Sequence, residues 1–166
     1  MRGMDTVLVI GWGRVHGSHV VKRLVEAVRP VVVLENESTG HRETVRAVEA
    51  LTGWEIPYVP GDVGDGDGVR LIVEEHRVGA VMHFAAKSVV GESVRHPEVY
   101  FAENAARGIA FFSGVVRGRG ESDRAVLHGG GVRESRGVPI PEEHPVRPIN
   151  PFGASKVMLE QVLGWL

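Results

Sequence analysis

Cysteine is absent from all 166 residues, which excludes disulfides and thiolate metal sites and fits a reducing compartment. No uninterrupted apolar run approaches the roughly 20 residues that a membrane-spanning helix needs. The opening Met1-Arg2-Gly3-Met4-Asp5 lacks the long apolar stretch of a secretory signal. One-sided charge is missing too: a formal net charge of −2 offers no general attraction to nucleic acid or to an anionic membrane. Arg117, Arg119 and Arg124 read as a solvated face. His16 and His19 stand three apart, but no nearby carboxylate or third histidine completes a ligand set, so no metal is expected. The expectation is a soluble cytoplasmic protein of one domain, residues 1–166.

What is present is alternation. Thr6–Ile10 is a β-branched run bounded by glycine, as a buried strand requires, and Val31–Leu34 repeats the pattern after Pro30. Ile56–Val59, Ala80–Phe84 and, more weakly, Arg124–Leu127 are further strands. Between them, apolar residues recur at helical spacing over Ser18–Ala27, His41–Leu51, Val69–Glu75 and Pro97–Val116. A loop rich in glycine and proline leads to Pro151 and a last helix, Phe152–Leu166. Strands alternating with helices of this length predict a doubly wound α/β fold, a parallel sheet covered on both faces.

Gly11-Trp-Gly-Arg-Val-His-Gly17 joins the first strand to the first helix. Glycines there (Gly11, Gly13, Gly17) let backbone N–H groups approach a pyrophosphate. An acidic residue closing the second strand accepts hydrogen bonds from an adenosine ribose. Glu35 stands 18 positions after Gly17, close to the spacing of about 20 that such sites show. A carboxylate there favours NAD over NADP, because a 2′-phosphate would be repelled. The alternative is that the glycines serve only a tight turn.

Several segments carry a resemblance. Val33-Leu-Glu-Asn-Glu-Ser-Thr-Gly-His-Arg42 resembles the second-strand segment of UDP-glucose 4-epimerases, members of the extended short-chain dehydrogenase/reductase family. Gly61-Asp62-Val63 is similar to that family's adenine-contacting motif, and His83-Phe-Ala-Ala-Lys-Ser-Val-Val-Gly-Glu-Ser93 to its fourth-strand signature. Pro139-Ile-Pro-Glu142 and Pro148-Ile-Asn-Pro-Phe-Gly-Ala-Ser-Lys-Val-Met-Leu-Glu-Gln161 resemble the approach to its catalytic helix. Gly91-Glu92-Ser93 matches the epimerases rather than the related sugar-nucleotide dehydratases. The resemblance runs from about Thr6 to Leu166 and covers the first half of a family member, without the sugar-nucleotide domain. It implies a Rossmann-like NAD-binding domain, with Asn36, Asp62, Val63, Phe84, Ala85, Ala86, Lys87 and Lys156 joining Gly11, Gly13, Gly17 and Glu35 at the cofactor. A UDP-sugar partner and a homodimer formed through the Pro97–Val116 and Phe152–Leu166 helices are likewise implied.

The chemistry implied is interconversion of UDP-glucose and UDP-galactose through a 4-keto intermediate. In the family a helix tyrosine takes the sugar's 4-hydroxyl proton, and a lysine one turn on lowers its pKa and holds the nicotinamide ribose. Lys156 matches that lysine, but the tyrosine position is Phe152, which has no titratable hydroxyl. Such acid–base catalysis is worth roughly 10²–10⁴-fold. Between Arg124 and Arg133 no serine or threonine supplies the proton shuttle; His128 lies near, and Ser155 sits on the wrong helical face. Arg14 stands at the middle glycine of the first turn, and Glu103 where the family has a cofactor-facing asparagine. The expectation is an epimerase-like chain without turnover; the alternatives are a non-catalytic NAD-binding partner subunit and a related dehydratase.

The departures are clustered. Read one base out of frame, with free third bases, Ile10–His16 becomes Ser-Gly-Gly-Ala-Gly-Phe-Met, near the family's first turn. The same shift over Val126–Glu134 can yield the serine/threonine motif. Compensated frameshifts, in the gene or in its sequencing, are therefore a hypothesis, expected to show as shifted reading when codons 10–16 and 126–134 are resequenced. An unshifted reading on both strands ends it.

Overall fold

The computed structural model describes residues 5–11, 15–38, 42–119, 126–127 and 145–166. The chain divides into two compact units, Met1–Ala85 with Ala110–His128, and Ala86–Ile109 with Gly129–Leu166. Gly13, Arg14, His41, Arg124, His128 and Pro139–Glu142, named above, lie outside the described residues.

In the first unit, five parallel strands stand in the order β3-β2-β1-β4-β5: Thr6–Ile10 (β1), Val31–Glu35 (β2), Tyr58–Pro60 (β3), Val78–His83 (β4) and Val126–Leu127 (β5). The order runs outward one way from β1 to β3, then resumes on the far side of β1 with β4. Right-handed crossovers then put the helices before that reversal on one face and those after it on the other. Side-chain alternation divides the strands accordingly. Val7, Val9, Val31 and Val33 pack with Val21 and Val25 of helix α1 (Val15–Glu26) and Val45 and Val48 of α2 (Arg42–Thr52). Leu8, Ile10, Val32 and Leu34, almost wholly buried, point the other way. Each such apolar side chain contributes about 1.5–3 kcal/mol on leaving water.

On that second face, α3 (Gly66–Glu75) meets the first-unit part of a later helix, labelled α6 below, through glycines. A Cβ at Gly114 would lie 2.3 Å from the Gly66 carbonyl oxygen, so only glycine permits this approach. Arg117 donates to Asp67 across the same contact at 3.1 Å. Helix α3 begins one turn before its apolar pattern, because the Asp65 carboxylate accepts the Gly68 N–H at 3.0 Å and caps it. Strand β3 starts later than expected, with Ile56 buried ahead of it rather than within it.

The second unit holds the largest departure from the sequence reading. The helix expected over Pro97–Val116 is preceded by an unexpected one, α4 (Val90–Arg95), and itself runs unbroken as α5 (Pro97–Tyr100), a π-turn (Phe101–Ala106) and α6 (Arg107–Arg119), the last continuing into the first unit. His96 breaks the helix with φ −134° before Pro97 restarts it. Helix α7 (Pro151–Leu163) is capped by the Asn150 side chain, which accepts the Gly153 N–H at 2.8 Å. Among the described residues no helix is long and apolar enough to cross a membrane.

Helix α1 ends in a Schellman motif: Arg29 N–H donates to Leu24 O and Val28 N–H to Val25 O, both at 2.9 Å. The motif puts Val28 at φ 55°, where glycine is the usual occupant and a β-branched side chain is strained. Its side chain is exposed, so little packing would be lost with it. Val28→Gly is expected to stabilise the chain by about 1 kcal/mol, the left-handed penalty less the entropy that glycine adds to the unfolded state. A lower denaturant midpoint for the variant would refute this.

Candidate functional site

In an open parallel sheet, ligands bind beyond the carboxyl ends of the strands, where the strand order reverses. Here that point lies between β1 and β4. Gly11 follows β1 with φ +70°, and a Cβ on it would fall 2.2 Å from the Ala85 nitrogen. Phe84 N–H donates to Ile10 O at 2.8 Å, continuing the pairing past the strand end. No side chain can stand at position 11, so backbone lines the strand end there.

Glu35 is the last residue of β2 and only 7% exposed. Its carboxylate accepts the Asn36 N–H at 3.2 Å, and its carbonyl accepts the Gly61 N–H at 3.1 Å. Asn36 donates through Nδ2 to Asp62 Oδ2 at 2.9 Å and accepts the Ser38 N–H at 3.1 Å. Asp62 also takes the Gly64 N–H at 2.7 Å, with half-buried Val63 between. The ends of β2 and β3 therefore present a fixed carboxylate–amide–carboxylate row. Gly17 is buried inside α1. So Gly11, Glu35, Asn36, Asp62, Val63, Phe84 and Ala85 gather at the sheet's carboxyl edge.

Ala86, Lys87, Phe152 and Lys156 belong to the second unit. A buried amide organises it: Asn104 Oδ1 accepts the Lys87 N–H at 2.9 Å, while its Nδ2 donates to Lys87 O at 3.0 Å and to Ser155 Oγ at 3.2 Å. Sequence reasoning pointed one residue away. Glu103 is exposed and pairs with Arg107 at 3.4 Å, because the π-turn shifts the helical phase and turns Asn104 inward. A lone asparagine in that stretch was the available signal. Tyr100, fully buried, was also missed; its hydroxyl accepts the Val89 N–H at 3.0 Å and has Val89 O and Glu92 Oε2 within 2.8 Å as alternative acceptors. A phenol has one proton to give, and the ionised carboxylate is the stronger acceptor. Burial, reinforced by that bond to Glu92, pushes the Tyr100 phenol above its ordinary value. The bond from Tyr100, aided by Lys87 Nζ at 3.4 Å, holds Glu92 below the usual carboxylate range. Ser93 is fully buried and donates to Val90 O at 2.7 Å.

Phe152 meets the Tyr100 ring edge-on, with centroids 6.4 Å apart. One turn on, Lys156 is 7% exposed. Ser155 donates to Phe152 O at 2.7 Å, so its hydroxyl is committed. No group among the described residues accepts a hydrogen bond from Lys156. Burial lowers its pKa below the ordinary lysine value, and Glu160 a turn further offsets this only in part.

A parallel sheet that reverses its order at the first strand, with glycine beyond that strand and a buried carboxylate ending the second, defines a Rossmann-like α/β protein. The chain belongs to the family described as GDP-mannose 4,6 dehydratase, whose model matches residues 8–165. It is 38% identical over 161 residues to the UDP-glucose 4-epimerase of Azospirillum brasilense, covering 95% of this chain and 43% of that protein. The crystal structure of UDP-glucose-4-epimerase from Stenotrophomonas maltophila with bound NAD and formylated UDP-arabinopyranose is similar at TM-score 0.88 and 28% identity, over 97% of this chain and 48% of that one. UDP-glucose 4-epimerase from Bifidobacterium longum, in complex with NAD+ and UDP, gives TM-score 0.87 and 28% identity, over 96% and 48%. The chain thus spans about half the length of the relatives it matches, and the epimerase resemblance read from its motifs is borne out.

Burial of Lys156 makes stability depend on pH. The unfolded amine titrates near its ordinary value of about 10.4 and the folded one lower, so between the two the unfolded state binds more protons and stability rises with pH. Below that window the folded chain carries the burial penalty on the ammonium in full. Lys156→Met is therefore expected to melt higher at pH 7, with the gain shrinking as pH rises through the window. A melting curve that is unchanged or lower at pH 7 would contradict the assignment.

Proposed function

We propose that this chain is the dinucleotide-binding part of a UDP-glucose 4-epimerase-like protein, a cytoplasmic protein that binds NAD and does not itself turn over UDP-sugars. The supporting observation is the row at the sheet's carboxyl edge. Glu35 offers a nearly buried carboxylate to the hydroxyls of an adenosine ribose, Asn36 and Asp62 lie beside it, and Gly11 leaves backbone alone at the pyrophosphate's approach. These residues fit the dinucleotide: a carboxylate matches two ribose hydroxyls and opposes a 2′-phosphate. Gly13, Gly17, Phe84, Ala85, Ala86 and Lys87 complete the proposed cofactor set, and Lys156 would hold the nicotinamide ribose. NAD, when bound, would supply a hydride acceptor and donor for a 4-keto intermediate.

Proton transfer is what these residues do not provide. Phe152 occupies the place from which a tyrosine would act, and neither of the chain's two tyrosines can replace it. The Tyr58 hydroxyl donates to Glu37 Oε1 at 2.8 Å, and burial together with that bond pushes its pKa up to about 12. Tyr100 is committed to Val89 and Glu92 and is likewise raised. A general base needs a value near working pH, the opposite displacement. This favours a non-catalytic NAD-binding partner subunit over an active enzyme, with a UDP-sugar as the ligand of the lineage. A homodimer is supported by the exposure of Met158 on α7 and Trp165 just beyond it.

Calorimetric titration is expected to show NAD+ binding, NADP+ at least tenfold weaker (about 1.4 kcal/mol or more), and a narrower ratio in Glu35→Ala. With NAD+ present, UDP-galactose should yield no UDP-glucose above a blank. Absence of heat with NAD+ would remove the binding reading; NAD-dependent UDP-glucose formation would remove the non-catalytic one.

A further inference from the structure

The chain has three lysines, and they differ in one respect. Lys22 is ion-paired with Glu26, and Lys87 with Glu92 at 3.4 Å; both are only half-buried. Such partners favour the ammonium, which has no lone pair to donate. Lys156 is buried on α7 with no acceptor among the described residues. The buried polar side chains described in the same unit are engaged elsewhere: Ser155 by Phe152 O and Asn104, Asn104 by Lys87, and Tyr100 by Val89 and Glu92. One helical turn back, where a hydroxyl would have given the amine a partner, stands the phenyl ring of Phe152.

We propose that Lys156 is a carbonyl-reactive amine, a site at which small aldehydes or ketones condense to form an imine. Desolvation of a lysine is the environment that yields neutral, nucleophilic amines. The lowered lysine pKa is consistent with this, Glu160 being the carboxylate that opposes it. The Nζ lone pair adds to the carbonyl carbon, and the displaced C=O pair takes a proton to give a carbinolamine. Loss of water then leaves C=N. Hydrolysis reverses every step, and no oxidant or reductant is needed. The inference does not require dinucleotide binding, so the titrations above can fail without affecting it.

The test is reductive trapping of the full chain at pH 8 with propanal and sodium cyanoborohydride, which delivers hydride to the imine carbon while water protonates nitrogen. The alkylated lysines are then quantified by peptide mapping. Lys156 is expected to be modified at least ten times faster than Lys22 or Lys87, and in guanidinium the three should react alike. Lys156→Arg should abolish the fast modification and leave the other two rates unchanged. If that variant fails to fold, the wild-type comparison between native and denatured chain still decides. Equal native rates, an unmodified Lys156, or a preference for Lys156 that survives denaturation would each overturn the proposal.

Discussion

A parallel sheet buried on both faces leaves polar side chains few places to go, and the chain uses the one that costs least. Each residue of β2 is buried, including Glu35, so its carboxylate has to be satisfied where the strand ends. The neighbouring Asn36 N–H does part of this, and the backbone bond from Gly61 to the Glu35 carbonyl fixes where β3 ends beside it. Asn36 and Asp62 are brought together by this register rather than by their own attraction, which exposed groups supply only weakly. Gly11 meets the same demand at β1: the strand can finish against Ala85 only if no Cβ intervenes. The carboxyl edge is thus a consequence of sheet packing, with polar atoms oriented before any ligand arrives.

Much of this edge was legible because its causes are local. β-Branched runs mark β1 and β2, the glycine after β1 and the acid closing β2 have fixed offsets, and alternation with helices implies parallel strands. The second unit was less legible for a physical reason. Its elements depend on the phase of a helix, and the π-turn at Phe101–Ala106 changes that phase by the extra residue it holds. Glu103 was singled out by the family resemblance, and it is its neighbour Asn104 that the folded backbone buries. Nothing short of the folded backbone shows that Asn104 will clamp Lys87 and Ser155. The early start of α3 is a milder case, since Asp65 caps a turn that its apolar residues do not reach.

Phe152 separates what a ring does for packing from what a hydroxyl does for chemistry. The ring still meets Tyr100 edge-on, an arrangement worth about 0.5–1.5 kcal/mol beyond the area it buries. A tyrosine would occupy the same ring position, so stability alone gives no reason to prefer one over the other. The loss falls on Lys156. A lysine buried beside a hydroxyl is part of a hydrogen-bonded pair, whereas this lysine, beside a phenyl ring, has three donors and no acceptor among the described residues.

That asymmetry bears on how the residue should be understood. The unit's buried polar side chains spend their hydrogen bonds elsewhere: Ser155 and Asn104 on backbone and each other, Tyr100 on Val89 and Glu92. Among the described residues these bonds are made without the lysine amine. A buried amine with no acceptor among the described residues can be met from outside, whether by a ribose hydroxyl or a carbonyl carbon. Those two partners make opposite demands on the same nitrogen: the first is best served by an ammonium that donates, the second by a neutral amine with a free pair. Burial tilts the balance toward the neutral form, Glu160 opposes it in part, and a bound anion or hydroxyl would tilt it back further.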